Sequence, residues 1–131
     1  MRWCLLLLLL TVQNGFAAEG LYFEDHVEPI FRNKCFTCHG ADKVKRKGEL
    51  DLRSVSSMLQ GGDSGTALIR GKHENSLIWE KVTNGEMPPE GENALTEKEL
   101  SLVREWIQGG ALTKRADTQS GLEEKDRNFW S

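Results

Sequence analysis

Two cysteines and a histidine stand together at Cys35-Phe36-Thr37-Cys38-His39, a C-x-x-C-H pentad. Thiols at that spacing can each form a thioether with one vinyl group of a single porphyrin, and the adjoining histidine can turn its imidazole onto the iron. The string is the attachment pattern of a c-type haem. With 3 Cys and 3 His in 131 residues, chance alone gives roughly 0.0015 such strings. The pattern is therefore specific, and it assigns a task to each of Cys35, Cys38 and His39.

A bare C-x-x-C also suits a zinc site or a redox dithiol, so the remaining ligands decide. Structural zinc takes four Cys or His ligands, usually as two separated pairs. Beyond residue 18 the sequence offers only Cys35, Cys38, His26, His39 and His73, with no second pair. A redox dithiol belongs in a βαβ context with its first Cys at a helix N-terminus. Here the pair comes after a helical segment and is closed by His39 and Gly40.

A six-coordinate haem needs a second axial donor, for which Met and His are the common choices. The candidates are Met58, Met87, His26 and His73. Met87 is the strongest, because Pro88 and Pro89 hold its stretch extended and leave the thioether free of helix geometry. Met58 lies in a short amphipathic pattern that suits core filling. His73, in a polar loop, and His26, on the first helix, read as solvated histidines.

The elements that must position these residues are helical. Phe23, Val27, Ile30 and Phe31 recur at i, i+4, i+7 and i+8, the stripe of an amphipathic helix over Tyr22 to Lys34. Pro29 either kinks it or marks where its regular part begins. From Gly40 to Lys72 the chain is polar and glycine-rich, with one short helix expected at Ser54 to Gln60. A second is expected from Asn75 or Ser76 to Thr83. The clearest starts at Thr96, where Thr96-Glu97-Lys98-Glu99 forms a capping box, buries Leu100, Val103, Trp106 and Ile107, and stops at Gly109-Gly110. No segment alternates with period 2 over a strand's length, so the fold class expected is all-α, with terminal helices and a loop-rich middle.

Around the pentad, Leu50, Leu52, Leu68, Ile69, Trp79 and Trp106 are candidate walls of a dry haem pocket. Arg53 and Arg70 could pair with a propionate, although a surface arginine is the plainer reading of each. Lys43, Lys45, Arg46 and Lys47 read as a solvated loop, with docking of an acidic redox partner as the alternative.

Residues 1–18 carry Arg2, six consecutive leucines at 5–10 and a Gly15-Phe16-Ala17-Ala18 ending, the pattern of a secretory signal peptide. The apolar run is shorter than the roughly 20 residues of a membrane span, so no span is expected after cleavage; an uncleaved anchor is the alternative. Cleavage removes Cys4 and one arginine, leaving both remaining cysteines for haem and 16 basic against 20 acidic residues. That balance speaks against nucleic acid as a partner. The expected organisation is a signal peptide at 1–18, a haem domain at 19–113, and a polar tail at 114–131 that is either disordered or the start of a further region.

From about Tyr22 to Leu112 the chain resembles the class I cytochrome c fold, and within it the planctomycete-type cytochrome c domain. The resemblance rests on Tyr22-Phe23-Glu24, Val27-Glu28-Pro29-Ile30, the pentad with Gly40, Gly48-Glu49-Leu50-Asp51-Leu52, Gly61-Gly62-Asp63-Ser64-Gly65, Ser76-Leu77-Ile78, Met87-Pro88-Pro89, and Leu95 through Gly110. It implies one covalent haem c on Cys35 and Cys38, with His39 and Met87 as axial ligands. It also implies a domain often found at the N-terminus of longer secreted proteins. Arg70 departs from the pattern, which more often has Pro before Gly71. The function expected is an exported monohaem electron carrier, not an enzyme, working with a redox partner protein. The alternatives are the electron-accepting module of a larger secreted oxidoreductase or degradative enzyme, and a gas sensor that releases Met87.

Overall fold

Phe23, Val27, Ile30 and Phe31 are all buried, as their spacing requires, but two different helical windings carry them. In the computed structural model, which describes residues 20–115, Phe23–Val27 is a single π-helical stretch closed by the Glu28 N–H on the Phe23 carbonyl. The α-helix proper, α1, is Glu28–Lys34, with Pro29 in its first turn. A proline there loses nothing, because an N–H in the first turn has no intrahelical acceptor. The regular helix thus begins beside Pro29, the second of the two options that the sequence left open. The leader at 1–18 and positions 116–131 of the tail lie outside the described residues.

The remaining helices are short until the last: α2 is Phe36–His39, α3 Val55–Gln60, α4 Leu77–Thr83 and α5 Glu97–Gln108. Single 3-10 turns at Lys47–Glu49 and His73–Asn75 lie between them. Where a local signal existed, it sets the boundary. The Ser54 hydroxyl accepts from the Ser57 N–H at 3.1 Å and opens α3. Thr96 and Glu99 complete a reciprocal capping box at the start of α5. Ser76 precedes α4 but does not cap it: its buried hydroxyl donates to the Lys72 carbonyl and accepts from the Ile69 N–H. Among the described residues there is no strand, only isolated bridges at Tyr22–Leu112 and Gly62–Gly65, and the fold is all-α.

The core joins the two ends of the described chain. Trp106 of α5 is fully buried and lies 5.6 Å from Phe23, ring centroid to centroid, while Phe23 meets Phe31 edge-on at 6.1 Å. Aromatic pairs at these separations add about 0.5–1.5 kcal/mol beyond the area they bury. The Trp106 indole N–H donates to the Leu112 carbonyl at 3.0 Å, and the same carbonyl accepts from the Phe23 N–H at 2.8 Å. Val103 and Ile107 are buried with Trp106, whereas Leu100, in the first turn of α5, is only half-buried at the edge of the core.

Two polar ties fix α1 from either side. Lys34, with its side chain only 6% exposed, donates to the Ala94 carbonyl and pairs with Glu99 at 3.1 Å, so the turn that enters the pentad is bound to the start of α5. At the other end, Glu24 accepts from the Thr113 hydroxyl and the Lys114 N–H, and Glu28 pairs with both Arg32 and Arg115. This clasp extends past residue 113 to Arg115. An open polar groove of about 400 Å³ is lined by Glu24, Glu28, Pro29, Arg32, Asn33 and Arg115, and by no residue of the pentad.

Partial burial pushes the Glu24 carboxyl up, but hydrogen bonds from Lys114, Thr113 and Arg115 outweigh it and hold the group below its ordinary 4.5. A carboxyl lowered in the folded state contributes stability above its unfolded pKa and loses it as pH falls through the folded value. Unfolding of the protein by denaturant should therefore show Glu24→Gln less stable than wild type at neutral pH, with the gap closing below about pH 4.5. A gap independent of pH would mean that the clasp does not depend on the charge of Glu24.

Candidate haem-attachment site

Cys35 is where two helices meet. Its N–H closes α1 on the Phe31 carbonyl at 2.8 Å, and the same residue is the N-cap of α2, so the pentad is itself one helical turn. The His39 N–H returns to the Cys35 carbonyl at 2.8 Å. Both thiols are free and half-buried. Gly40, which ends α2, is required by a close approach: a Cβ there would stand 2.2 Å from the Phe36 carbonyl oxygen.

Beyond Gly40 the chain folds back onto the pentad. The His39 carbonyl accepts from the Leu52 N–H at 3.0 Å. The Gly40 carbonyl accepts from the Arg46 Nε–H at 2.9 Å, and Arg46 pairs in turn with Asp51 at 3.1 Å. Partial burial pushes the Asp51 carboxyl up, yet hydrogen bonds and charge from Arg53, with the charge of Arg46, hold it below its ordinary range. Gly62 lets the next turn close on this segment, since a Cβ there would lie 2.3 Å from the Gly48 carbonyl oxygen.

Whether these residues suit a haem can be read from the state of their donor atoms. His39 Nδ1 is buried and has no hydrogen-bond partner, alone in this among the side-chain nitrogens and oxygens of the described residues. Burial disfavours the imidazolium and lowers the His39 pKa, against an opposing pull from the backbone at Leu50 and Lys47. The ring is thus neutral at neutral pH, the form in which one nitrogen can bind iron while the other donates to the protein. Burial likewise pushes the Cys35 thiol up to about 12; Lys34 draws it down and Cys38 adds to the rise. A catalytic dithiol needs the opposite, a lowered thiol pKa. Among the described residues, no three His, Cys, Asp or Glu side chains come together to hold a metal ion, which removes support from zinc. The donor set fits a porphyrin that brings its own iron.

The candidates for the second axial position separate by environment. Met58 is fully buried in the core, and its carbonyl accepts from the Ala67 and Leu68 N–H groups. His26 Nδ1 accepts from the Tyr22 N–H at 3.2 Å. His73, half-buried, meets the Trp79 ring edge-on at 5.3 Å. Met87 is 37% exposed in the loop after α4, its N–H on the Lys81 carbonyl at 2.9 Å, while the adjacent Glu86 is held by Asn84 and Lys81. Its thioether is the one not absorbed by core packing.

The expected pocket walls divide in the same way. Leu52 and Leu68 are buried and Leu50 and Trp79 half-buried, but Ile69 is exposed and Trp106 is committed to Phe23 and Leu112. Arg53 forks onto Asp51 through two of its nitrogens, and Arg70 donates to the Gly110 and Ala111 carbonyls, so both arginines serve the fold. Of the basic run, Lys43, Lys45 and Lys47 are exposed, with Val44 almost wholly so, while Arg46 is drawn inward. That inward turn was not legible in the sequence, where Arg46 looks like its neighbours.

Gly40→Ala should overpack the end of α2, costing about 1–3 kcal/mol and lowering the yield of folded protein several-fold. Wild-type yield and stability would show that the Phe36 carbonyl can yield to a methyl group.

Compared with family models, residues 35–91 match the one described as Planctomycete cytochrome C, a span that opens on Cys35 and includes Met87. No curated protein and no solved structure matches the chain.

Proposed function

We propose that this chain, which carries a planctomycete-type cytochrome c domain, is an exported monohaem cytochrome that passes single electrons to and from a redox partner protein. The observation that carries the reading is the buried, unpartnered Nδ1 of a neutral His39, directly after two free thiols at the haem-attachment spacing. Cys35 and Cys38 would hold the porphyrin as thioethers, and His39 and Met87 would be its axial ligands. When bound, a haem supplies a reversible one-electron iron couple.

The protein's part in such a function is to keep its own groups still. His39 is anchored through its N–H to Cys35 and through its carbonyl to Leu52. Leu52 and Leu68 supply buried apolar surface, which raises the cost of the more charged oxidised state and keeps water out. Met87 offers a soft, neutral sulfur that favours the reduced metal. The match to a cytochrome c family model is what supports a carrier over a catalyst. Export rests on the leader pattern at 1–18. Among the described residues, no helix is long and apolar enough to cross a membrane.

Replacing Met87 with Ala should lower the midpoint potential and let the reduced protein bind carbon monoxide, which the wild type should not. Spectra of the reduced proteins with and without the gas check this. An unchanged low-spin spectrum in the variant would remove Met87 from the iron, and carbon monoxide binding by the wild type would favour gas sensing over electron transfer.

A further inference from the structure

His39 is the last residue of α2, so the helix holds it only from its N-terminal side. On the other side it is held by the segment 46–52, whose backbone at Lys47 and Leu50 faces the imidazole and whose Leu52 N–H takes the His39 carbonyl. Nothing in the local sequence makes that segment stay: it contains one 3-10 turn, with Gly48 at φ 60° and Glu49 at φ 52°. Backbone ties it at one further point, where the Gly48 carbonyl accepts from the Asp63 N–H at 2.8 Å; a side chain ties it to Gly40, directly after the pentad.

We propose that Arg46 is the positioning residue for the His39 imidazole, tying the Gly40 carbonyl to the Asp51 carboxylate across the segment that faces the ring. The inference rests on the reading of His39 as the iron ligand. Arg46 is the one residue of the basic run turned inward, its side chain 11% exposed and Asp51 18%. Its Nε–H donates to the carbonyl immediately after His39, at 2.9 Å, and its terminal nitrogen reaches Asp51 at 3.1 Å. The rigid fork of a guanidinium can span two acceptors in this way, whereas an ammonium is a single point. Removing it leaves a shielded carbonyl without its charge-assisted partner, and frees 46–52 to shift relative to the ring. The protein groups around an imidazole set its orientation and its basicity towards a metal, so a shift of the segment that faces it alters the ligand itself.

Arg53 provides the control. It pairs with the same carboxylate at 2.7 Å and carries the same charge, but its side chain makes no bond to Gly40 and is 45% exposed. Arg46→Gln and Arg53→Gln therefore remove equal charge from the same acid and differ in the tie to the pentad.

The test is to prepare haem-loaded wild type, Arg46→Gln, Arg46→Lys and Arg53→Gln, and to record for each the midpoint potential and the proton resonances of the His39 ring in the reduced state. An axial imidazole sits in the haem ring current and its protons move far upfield. The expected result is that Arg46→Gln displaces both the ring resonances and the potential well beyond Arg53→Gln, with Arg46→Lys between Arg46→Gln and wild type. Equal displacements in Arg46→Gln and Arg53→Gln would overturn the positioning role while leaving His39 on the iron. Wild-type ring resonances at ordinary positions would overturn ligation by His39, and the positioning role with it. Should Arg46→Gln fail to mature, Arg46→Lys against Arg53→Gln carries the same comparison: a displacement in Arg46→Lys no larger than in Arg53→Gln overturns the proposal.

Discussion

Phe23 packs against Phe31 near the start of the described chain and against Trp106 near its end, and the placing of the Cys35–His39 pentad depends on that meeting. The helices between are of four to seven residues, too short to be stable alone, since isolated helices below about 12 residues are marginal in water. They persist because the aromatic contact and the Leu112 carbonyl, which takes both the Phe23 N–H and the Trp106 indole, bring the two longest runs of helical residues into one core. α1 then ends where Lys34 is pinned to Glu99, and the next residue is Cys35. The position of the first thiol is in this sense a property of α5 as much as of α1.

Behind that frame the site is stabilised mainly by backbone, with charge added where backbone runs out. α2 fixes the pentad from one side through the Cys35 carbonyl. The segment 46–52 fixes it from the other through Leu52 and Arg46. The cost is a buried imidazole nitrogen without a partner, which is worth roughly 1–3 kcal/mol of lost hydrogen bonding. This nitrogen, directly before Gly40 and after two free thiols, is the feature that sets the pentad apart from the other described side chains. The neutrality forced on His39 and the protonated state forced on Cys35 both come from the same desolvation.

How much the sequence disclosed depends on how local each signal is. The pentad, the Thr96–Glu99 capping box, the apolar stripe of Phe23 to Phe31 and the breaks at Gly109-Gly110 are written within a few residues, and each was legible. Met58 in the core and the start of regular helix beside Pro29 are nearly as local. The π-helical winding of Phe23–Val27 was not, since no residue type in that run marks it, and the Trp106 ring that Phe23 packs against lies roughly eighty residues away in sequence. Arg46, Arg70 and Arg115 could not be told from solvated arginines, since their acceptors are carbonyls and carboxylates fixed only by the fold. The same limit applied to Ile69 and Trp106, read as pocket walls on apolarity alone, when one is exposed and the other belongs to the helix–helix contact.

The central claim is that Cys35 and Cys38 carry one haem covalently, and the mass of the intact chain answers it most directly. The protein is expressed in a host with an extracytoplasmic haem-maturation system, denatured, extracted of loosely bound haem, and weighed with and without prior thiol alkylation. The account expects a single mass increased by one haem, no alkylation at either cysteine, and the added mass located on the peptide containing residues 35–39. A chain at its bare mass, with both cysteines open to alkylation, would contradict it.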